Sequence, residues 1–193
     1  MQLIITTDYD ELSRVAADIL ARRIRERPDC VLGLATGATP VGTYRELVRR
    51  YRQGQVDFHQ VRTFNLDEYY PIEPDHPQSF HRFMAEHLFS QVNVRRENVH
   101  LPRGNAADPV EECRRYEAAI EDGCGIDLQL LGIGANGHIG FNEPGTPLDS
   151  TTHVVRLAED TVAKSAWLFD RPEDVPRLAI TMGLKTIMRA RRL

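Results

Sequence analysis

Three short segments of this chain combine polar side chains with glycines in ways that can do chemistry. Thr36-Gly37-Ala38-Thr39-Pro40 follows an apolar run and precedes a helical stripe. At such a turn, free backbone N–H groups and the positive end of a helix dipole form a cradle for a phosphate. Gly37 lets the backbone approach a ligand closely. The plainer alternative is an ordinary strand-to-helix turn in which Thr39 only caps its helix. In the second segment, Asp67 and Glu68 follow the buried run Val61 to Asn65 after a single residue, Leu66. Partial burial there raises carboxylate basicity toward neutral pH and makes Asp67 a candidate general base, whereas Glu68 reads as a solvated acidic turn. In the third, Gly132 to Glu143, His138 is framed by glycines beside a buried run and has few packing duties. It can take and give a proton near neutrality, with Glu143 as its carboxylate companion.

Two tempting motifs fail on context. Gly132-Ile133-Gly134-Ala135-Asn136-Gly137 matches G-x-G-x-x-G, but a dinucleotide site needs a helix to begin within the motif, and His138 to Pro147 carries two prolines, two glycines and no helical stripe. His81 and His87 lie six apart, off one helical face, so with His76 they read as surface or core residues, and no metal-ligand spacing is present.

Short apolar runs alternate with helix-period segments, the pattern of βα units around a parallel sheet. Strands are expected at Leu3–Ile5, Val31–Ala35, Val61–Asn65, Val99–Leu101, Leu128–Leu131, Val154–Val155 and Leu178–Ile180. The first helix has Asp8 and Glu11 as a capping box and a stripe of Leu12, Val15, Ala16, Ile19, Leu20 and Ile24. Further helices are expected from Thr39-Pro40 with the stripe Val41, Tyr44, Leu47, Val48 and Tyr51, from Ser79, from Asp108-Pro109, and over Thr161 to Phe169. One doubly wound, mostly parallel, Rossmann-like three-layer α/β domain fits this order. In such sheets ligands bind outside the carboxyl ends of the strands, where the three segments fall.

At 193 residues with 41% hydrophobic content, the chain buries one sizeable core. Its net charge of -4 argues against nucleic acid as a partner, and Arg189, Arg191 and Arg192 read as a solvated basic terminus. Cys30, Cys113 and Cys124 are odd in number and widely spaced, which suits a reduced cytoplasmic protein. No apolar run reaches membrane-spanning length, and the sequence carries nothing on oligomeric state.

Leu34 to Pro40, Thr63 to Tyr69 and Leu131 to Pro144 closely resemble the three signature segments of glucosamine-6-phosphate deaminases, and the resemblance runs from residue 3 to the last. It implies a cofactor-free enzyme, a hydrolase or isomerase, that converts glucosamine 6-phosphate to fructose 6-phosphate and ammonia. It also implies a place in amino-sugar catabolism and N-acetylglucosamine utilisation. Carried over by motif, Asp67 moves a proton between C2 and C1, and His138, with Glu143 and Asn136 behind it, opens the sugar ring. Thr36, Gly37, Ala38 and Thr39 bind the phosphate. Members of the family carry a phosphate-binding arginine where this chain has Trp167, and Lys164 one turn earlier is its candidate substitute. They also continue beyond the position of Leu193, so the resemblance implies one domain, residues 1–193, whose last strand and helices are missing. The competing readings are a 6-phosphogluconolactonase-like hydrolase, which shares the superfamily but has a different acidic motif, and a non-catalytic sugar-phosphate sensor, which the retained Asp67, His138 and Glu143 oppose.

Overall fold

Each strand must pair its backbone N–H and C=O groups with a neighbour, and the strands of this chain do so in two sheets. The computed structural model describes residues 2–169 and 171–193; the side chains of Asp160, Lys164, Ser165, Leu168 and Pro172 lie outside that description. In chain order the elements are α1 (Tyr9–Glu26), β1 (Val31–Leu34), α2 (Val41–Arg52), β2 (Arg62–Asn65), β3 (Asp67–Tyr70), α3 (Phe80–His87), β4 (Val99–His100), α4 (Pro109–Asp122), β5 (Leu128–Gln129), β6 (His153–Arg156), α5 (Glu159–Ser165), β7 (Leu178–Thr181) and α6 (Leu184–Met188). The main sheet is parallel throughout, in the order β4-β2-β1-β5. Leu32 and Leu34 of β1 pack against Leu20 and Ile24 of α1 and Tyr44 and Leu47 of α2. Val31 and Phe64 pack on the other face with Tyr116 of α4 and Ile187 of α6. That is the mostly parallel, three-layer α/β arrangement expected from the apolar pattern, with both faces of the sheet covered.

The second sheet is an addition that periodicity did not reveal. β3, β7 and β6 form an antiparallel unit in the order β3-β7-β6, with Asp67 and His153 both in register with Thr181 of the middle strand. Only Leu66 separates β2 from β3. Its N–H donates to Leu34 O at 3.0 Å in the main sheet, and its C=O accepts from Met182 N at 2.7 Å, just past β7. The chain therefore changes sheets at one residue. Asp67-Glu68, expected to be a strand-tip loop, instead opens a strand.

Several local expectations change for identifiable reasons. Leu3–Ile5 forms no strand, since no neighbouring backbone pairs with it, and Leu3 and Ile5 are exposed. The buried face of α1 is Ser13, Ala17, Leu20, Ala21 and Ile24, which leaves Leu12 and Ile19 facing outward. Small residues line that face because α1 and α2 approach closely: a Cβ on Gly42 would stand 2.2 Å from Ser13 Oγ. Asp8 caps α1 as expected, accepting from Glu11 N, but Glu11 turns back to Thr7 N rather than to Asp8. Thr39 caps nothing. Pro40 holds the N-cap position of α2 and makes no side-chain cap bond; the first-turn N–H of Gly42 donates to the Tyr9 hydroxyl instead. Ser79 and Asp108 cap α3 and α4 as expected. The strand expected at Leu128–Leu131 shortens to two residues, flanked by bonds from Arg191 N to Ile126 O at 3.0 Å and from Gln129 N to Arg192 O at 2.9 Å. Among the described residues no helix is long and apolar enough to cross a membrane.

Asp127 locks the lower edge of the main sheet. One carboxylate oxygen accepts from Arg23 at 2.8 Å, Arg27 at 3.0 Å and Arg191 at 2.9 Å, and the other accepts from Val31 N at 2.8 Å. Burial pushes this carboxyl up, but the Val31 N–H and the arginines outweigh it and hold it below the usual range. A depressed carboxyl contributes stability above its unfolded pKa and loses it as pH falls through the folded value. Asp127→Ala is expected to destabilise the fold by about 2–4 kcal/mol at pH 7. Thermal melts should show the deficit shrink on acidification below about pH 4; parent-like melting at pH 7 would count against it.

Candidate active site

Beyond the tips of β1, β2 and β5 lies an open cavity of about 560 Å³ whose lining includes Thr36, Gly37, Ala38, Asp67, Gly134, His138 and Trp167. The three segments singled out by composition and spacing thus surround one space. Thr39 and Glu143 stand back from it, and Asn136 is held between Glu143 and His138. The side chain of Lys164, the expected substitute phosphate ligand, lies outside the described residues.

The first wall is the turn after β1. Gly37 has φ of +100° and open space where a Cβ would sit, so the turn exposes backbone rather than side chain. Among the described residues, none accepts a hydrogen bond from the N–H groups of Gly37, Ala38 or Thr39. They are free for an anion. Two tyrosines buttress this turn: Tyr44, expected only as part of the α2 stripe, and Tyr9, for which the residues alone indicated no role. Tyr9 at the start of α1 bonds Ala38 O and Thr39 O at 3.1 and 3.0 Å and accepts from Gly42 N at 2.8 Å. Tyr44 donates its hydroxyl to Ala35 O. For Tyr44 the signal was present, because a tyrosine on a buried stripe must place its hydroxyl on some partner.

Asp67 and Glu68 are sequence neighbours on a strand, so their side chains leave opposite faces. Glu68 is 0% exposed, and its oxygens accept from Phe80 N at 2.9 Å, His81 N at 3.0 Å and His81 Nδ1 at 2.9 Å. A carboxylate at the first N–H groups of α3 is favoured by the helix dipole. The solvated acidic turn expected of Glu68 is therefore corrected: it is the buried clamp between β3 and α3. His81, expected as a bystander, is part of that clamp.

Asp67 faces the cavity and is 6% exposed. No described residue donates a hydrogen bond to its carboxyl. Burial, and secondarily the Glu68 charge, raise its pKa from 3.8 to about 7. It thus shifts between acid and base near neutrality, which proton transfer at carbon needs. Gly140 passes over it with φ of +58°; a Cβ there would lie 3.3 Å from Asp67 Oδ2 and 3.0 Å from Thr181 Oγ1.

The third wall is the glycine loop. His138 Nδ1 lies 2.7 Å from Asn136 Oδ1, and Asn136 Nδ2 donates to Glu143 Oε2 at 2.7 Å. Since Asn136 donates to the carboxylate, its oxygen accepts the Nδ1 proton, which leaves Nε2 of a neutral imidazole as the basic atom. Glu143 thus acts on His138 through Asn136. The ring lies on Gly134, where a Cβ would stand 2.1 Å from His138 Cε1. Asn142, unremarked in the sequence, pins the loop by donating to Ile139 O at 2.9 Å and Met182 O at 2.8 Å.

A sequence profile described as glucosamine-6-phosphate isomerases/6-phosphogluconolactonase matches residues 8–193. Glucosamine-6-phosphate deaminase from Thermoanaerobacter sp. (strain X514) is 53% identical over 193 residues, covering 100% of this chain and 76% of the relative. The protein of the same name from Lysinibacillus sphaericus (strain C3-41) is also 53% identical, with 100% and 81% covered. A solved monomeric glucosamine-6-phosphate deaminase superposes with TM-score 0.96 at 46% identity, covering 98% of this chain and 79% of that one. A 6-phosphogluconolactonase from Thermotoga maritima superposes with TM-score 0.71 at 21% identity and covers 96% and 77%, a likeness of fold alone.

A carboxyl whose pKa is raised in the folded state leaves stability intact below its unfolded pKa near 4 and erodes it as pH rises through about 7. Asp67→Asn removes that penalty. Its melting temperature should exceed the parent's at pH 8.5, by up to about 3–4 kcal/mol in stability, and match it near pH 3.5. An advantage of the same size at both pH values would show that charge burial is not its cause.

Proposed function

Because the chain belongs to the glucosamine-6-phosphate isomerase/6-phosphogluconolactonase family, we propose that it is an enzyme that isomerises glucosamine 6-phosphate and releases ammonia, with fructose 6-phosphate as the other product. Within that family the deaminase reading is favoured over the lactonase, since the relatives at about half identity over the whole chain carry the deaminase name. The family description names isomerases beside a lactonase, and the deaminase name of the relatives favours isomerisation with loss of ammonia. The observation that carries the reading is the meeting of Asp67, His138 and the Thr36–Ala38 turn around one cavity.

The N–H groups of Gly37 and Ala38, with the Thr36 hydroxyl nearby, hold the 6-phosphate and set the length of sugar that reaches Asp67. His138 Nε2 takes the proton of the C1 hydroxyl as the ring C1–O5 bond breaks, and O5 is protonated in turn. Nδ1–H on Asn136 keeps the imidazole in the tautomer this step needs, and Glu143 stabilises the positive charge that develops. Asp67 then takes the C2 proton from the open-chain form, giving an enolamine, and returns a proton to C1. Water adds to the resulting C2 imine and ammonia leaves. The raised pKa makes Asp67 a stronger base than an exposed carboxylate while leaving about half of it ionised at pH 7 and most of it above. The placement of this chemistry in amino-sugar catabolism and N-acetylglucosamine utilisation, within the cytoplasm, belongs to the same proposal.

Ammonia release from glucosamine 6-phosphate by the purified chain is the direct test. Activity is expected to climb about tenfold per pH unit up to about pH 7 and then level, as Asp67 ionises. Asp67→Asn should lose at least 10²–10⁴-fold in kcat while still binding substrate. Ammonia release at parent rates in that variant would remove Asp67 from the role of base. Hydrolysis of 6-phosphogluconolactone without ammonia release would favour the lactonase.

A further inference from the structure

The rim of the cavity is apolar on both sides. Ile133, in the loop after β5, is 79% exposed, and Trp167, in the turn after α5, is 81% exposed, yet both line the cavity that holds Asp67 and His138. Large hydrophobic side chains left in water at the mouth of a site mark a surface that a ligand covers. The inner wall facing them is aromatic: Tyr69 and Phe80 have centroids 4.9 Å apart, and Phe80 and Phe141 stack at 6.2 Å with 9° between planes. These rings are fixed by packing on one another. Trp167, by contrast, stacks on no ring among the described residues and stands largely in solvent.

Charge points the same way. Among the described residues no lysine or arginine lines this cavity, while Asp67 and Glu86 do. A sugar phosphate held there finds anion contacts in backbone N–H groups, and the exposed apolar rim offers contact to the C–H faces of its carbon chain. Resting on the sugar-phosphate reading above, we propose that Trp167 is a substrate-contacting residue whose indole, with Ile133 beside it, covers the C–H face of the bound hexosamine phosphate and supplies much of its binding.

Trp167 is the only tryptophan in the chain, so its emission reports on this contact alone. Fructose 6-phosphate without ammonium cannot react and serves as the probe; inorganic phosphate and unphosphorylated glucosamine are the controls. Saturable change in emission is expected with fructose 6-phosphate and none with inorganic phosphate at the same concentration. By calorimetry, Trp167→Ala should bind fructose 6-phosphate about tenfold more weakly, Trp167→Phe should recover most of the loss, and in turnover KM should rise more than kcat falls. Because the side chain stands in water, both variants keep the parent's melting temperature. Unchanged affinity in Trp167→Ala, or calorimetric binding with silent emission, overturns the proposal, as does the absence of any binding. Sugar-phosphate binding with the emission change but no ammonia release would instead sink the deaminase reading and leave the Trp167 contact standing.

Discussion

The arrangement of this molecule turns on the backbone of one residue, Leu66. Its N–H closes the parallel sheet on Leu34 and its C=O receives Met182 from the antiparallel sheet, so the two sheets share a single peptide. Backbone groups buried at such a junction must be paired, and a shift of one residue would send every side chain after it to the opposite face. Asp67 follows immediately and inherits that constraint. Its carboxyl reaches the cavity because the chain leaves the main sheet at Leu66 and nowhere else.

The same junction sorts two adjacent carboxylates into different work. Glu68 meets the N-terminus of α3 and the His81 ring, which satisfy it in the dark of the core. Asp67 meets a glycine loop that brings no donor. Burial without compensation is costly for structure and useful for chemistry, since it moves a carboxyl to where it can both take and release a proton. The loop that passes over Asp67 is itself restrained by Asn142 and seats His138 on Gly134. Tyr9, Tyr44 and Tyr116 hold the strand tips from below, the last by donating to Asn65 O at 2.7 Å. None of these supports touches the cavity chemistry, yet each sets the position of a group that does.

The relatives at 53% identity place the chain within one family, and it spans 76–81% of their lengths. Asp67 is buried at the cavity, whereas Ile133 and Trp167 stand exposed at its rim. The reacting groups and the rim therefore face different demands. Proton transfer needs Asp67 and His138 held in place by glycines and backbone bonds, whereas a rim that covers a ligand needs exposed surface.

Much of this was legible in the residues. The parallel sheet follows from apolar runs that have no polar face, the caps of α1, α3 and α4 from Asp8, Ser79 and Asp108, and the three loop segments from glycines set against acid and imidazole. Local chemistry governs these, so local sequence reveals them. The antiparallel sheet, the burial of Glu68, the rotated face of α1 and the exposure of Leu3–Ile5 were not legible. Each depends on which distant backbone or side chain arrives as a partner: Thr181 for Asp67, the α3 terminus for Glu68, Gly42 for Ser13, and no strand for Leu3. Amino-acid types named the groups able to move protons. Only the tertiary structure, with the α3 terminus set at Glu68 and a strand more than a hundred residues away paired at Asp67, decided which carboxylate would be satisfied and which left bare at the cavity, because desolvation is a property of surroundings and not of a residue.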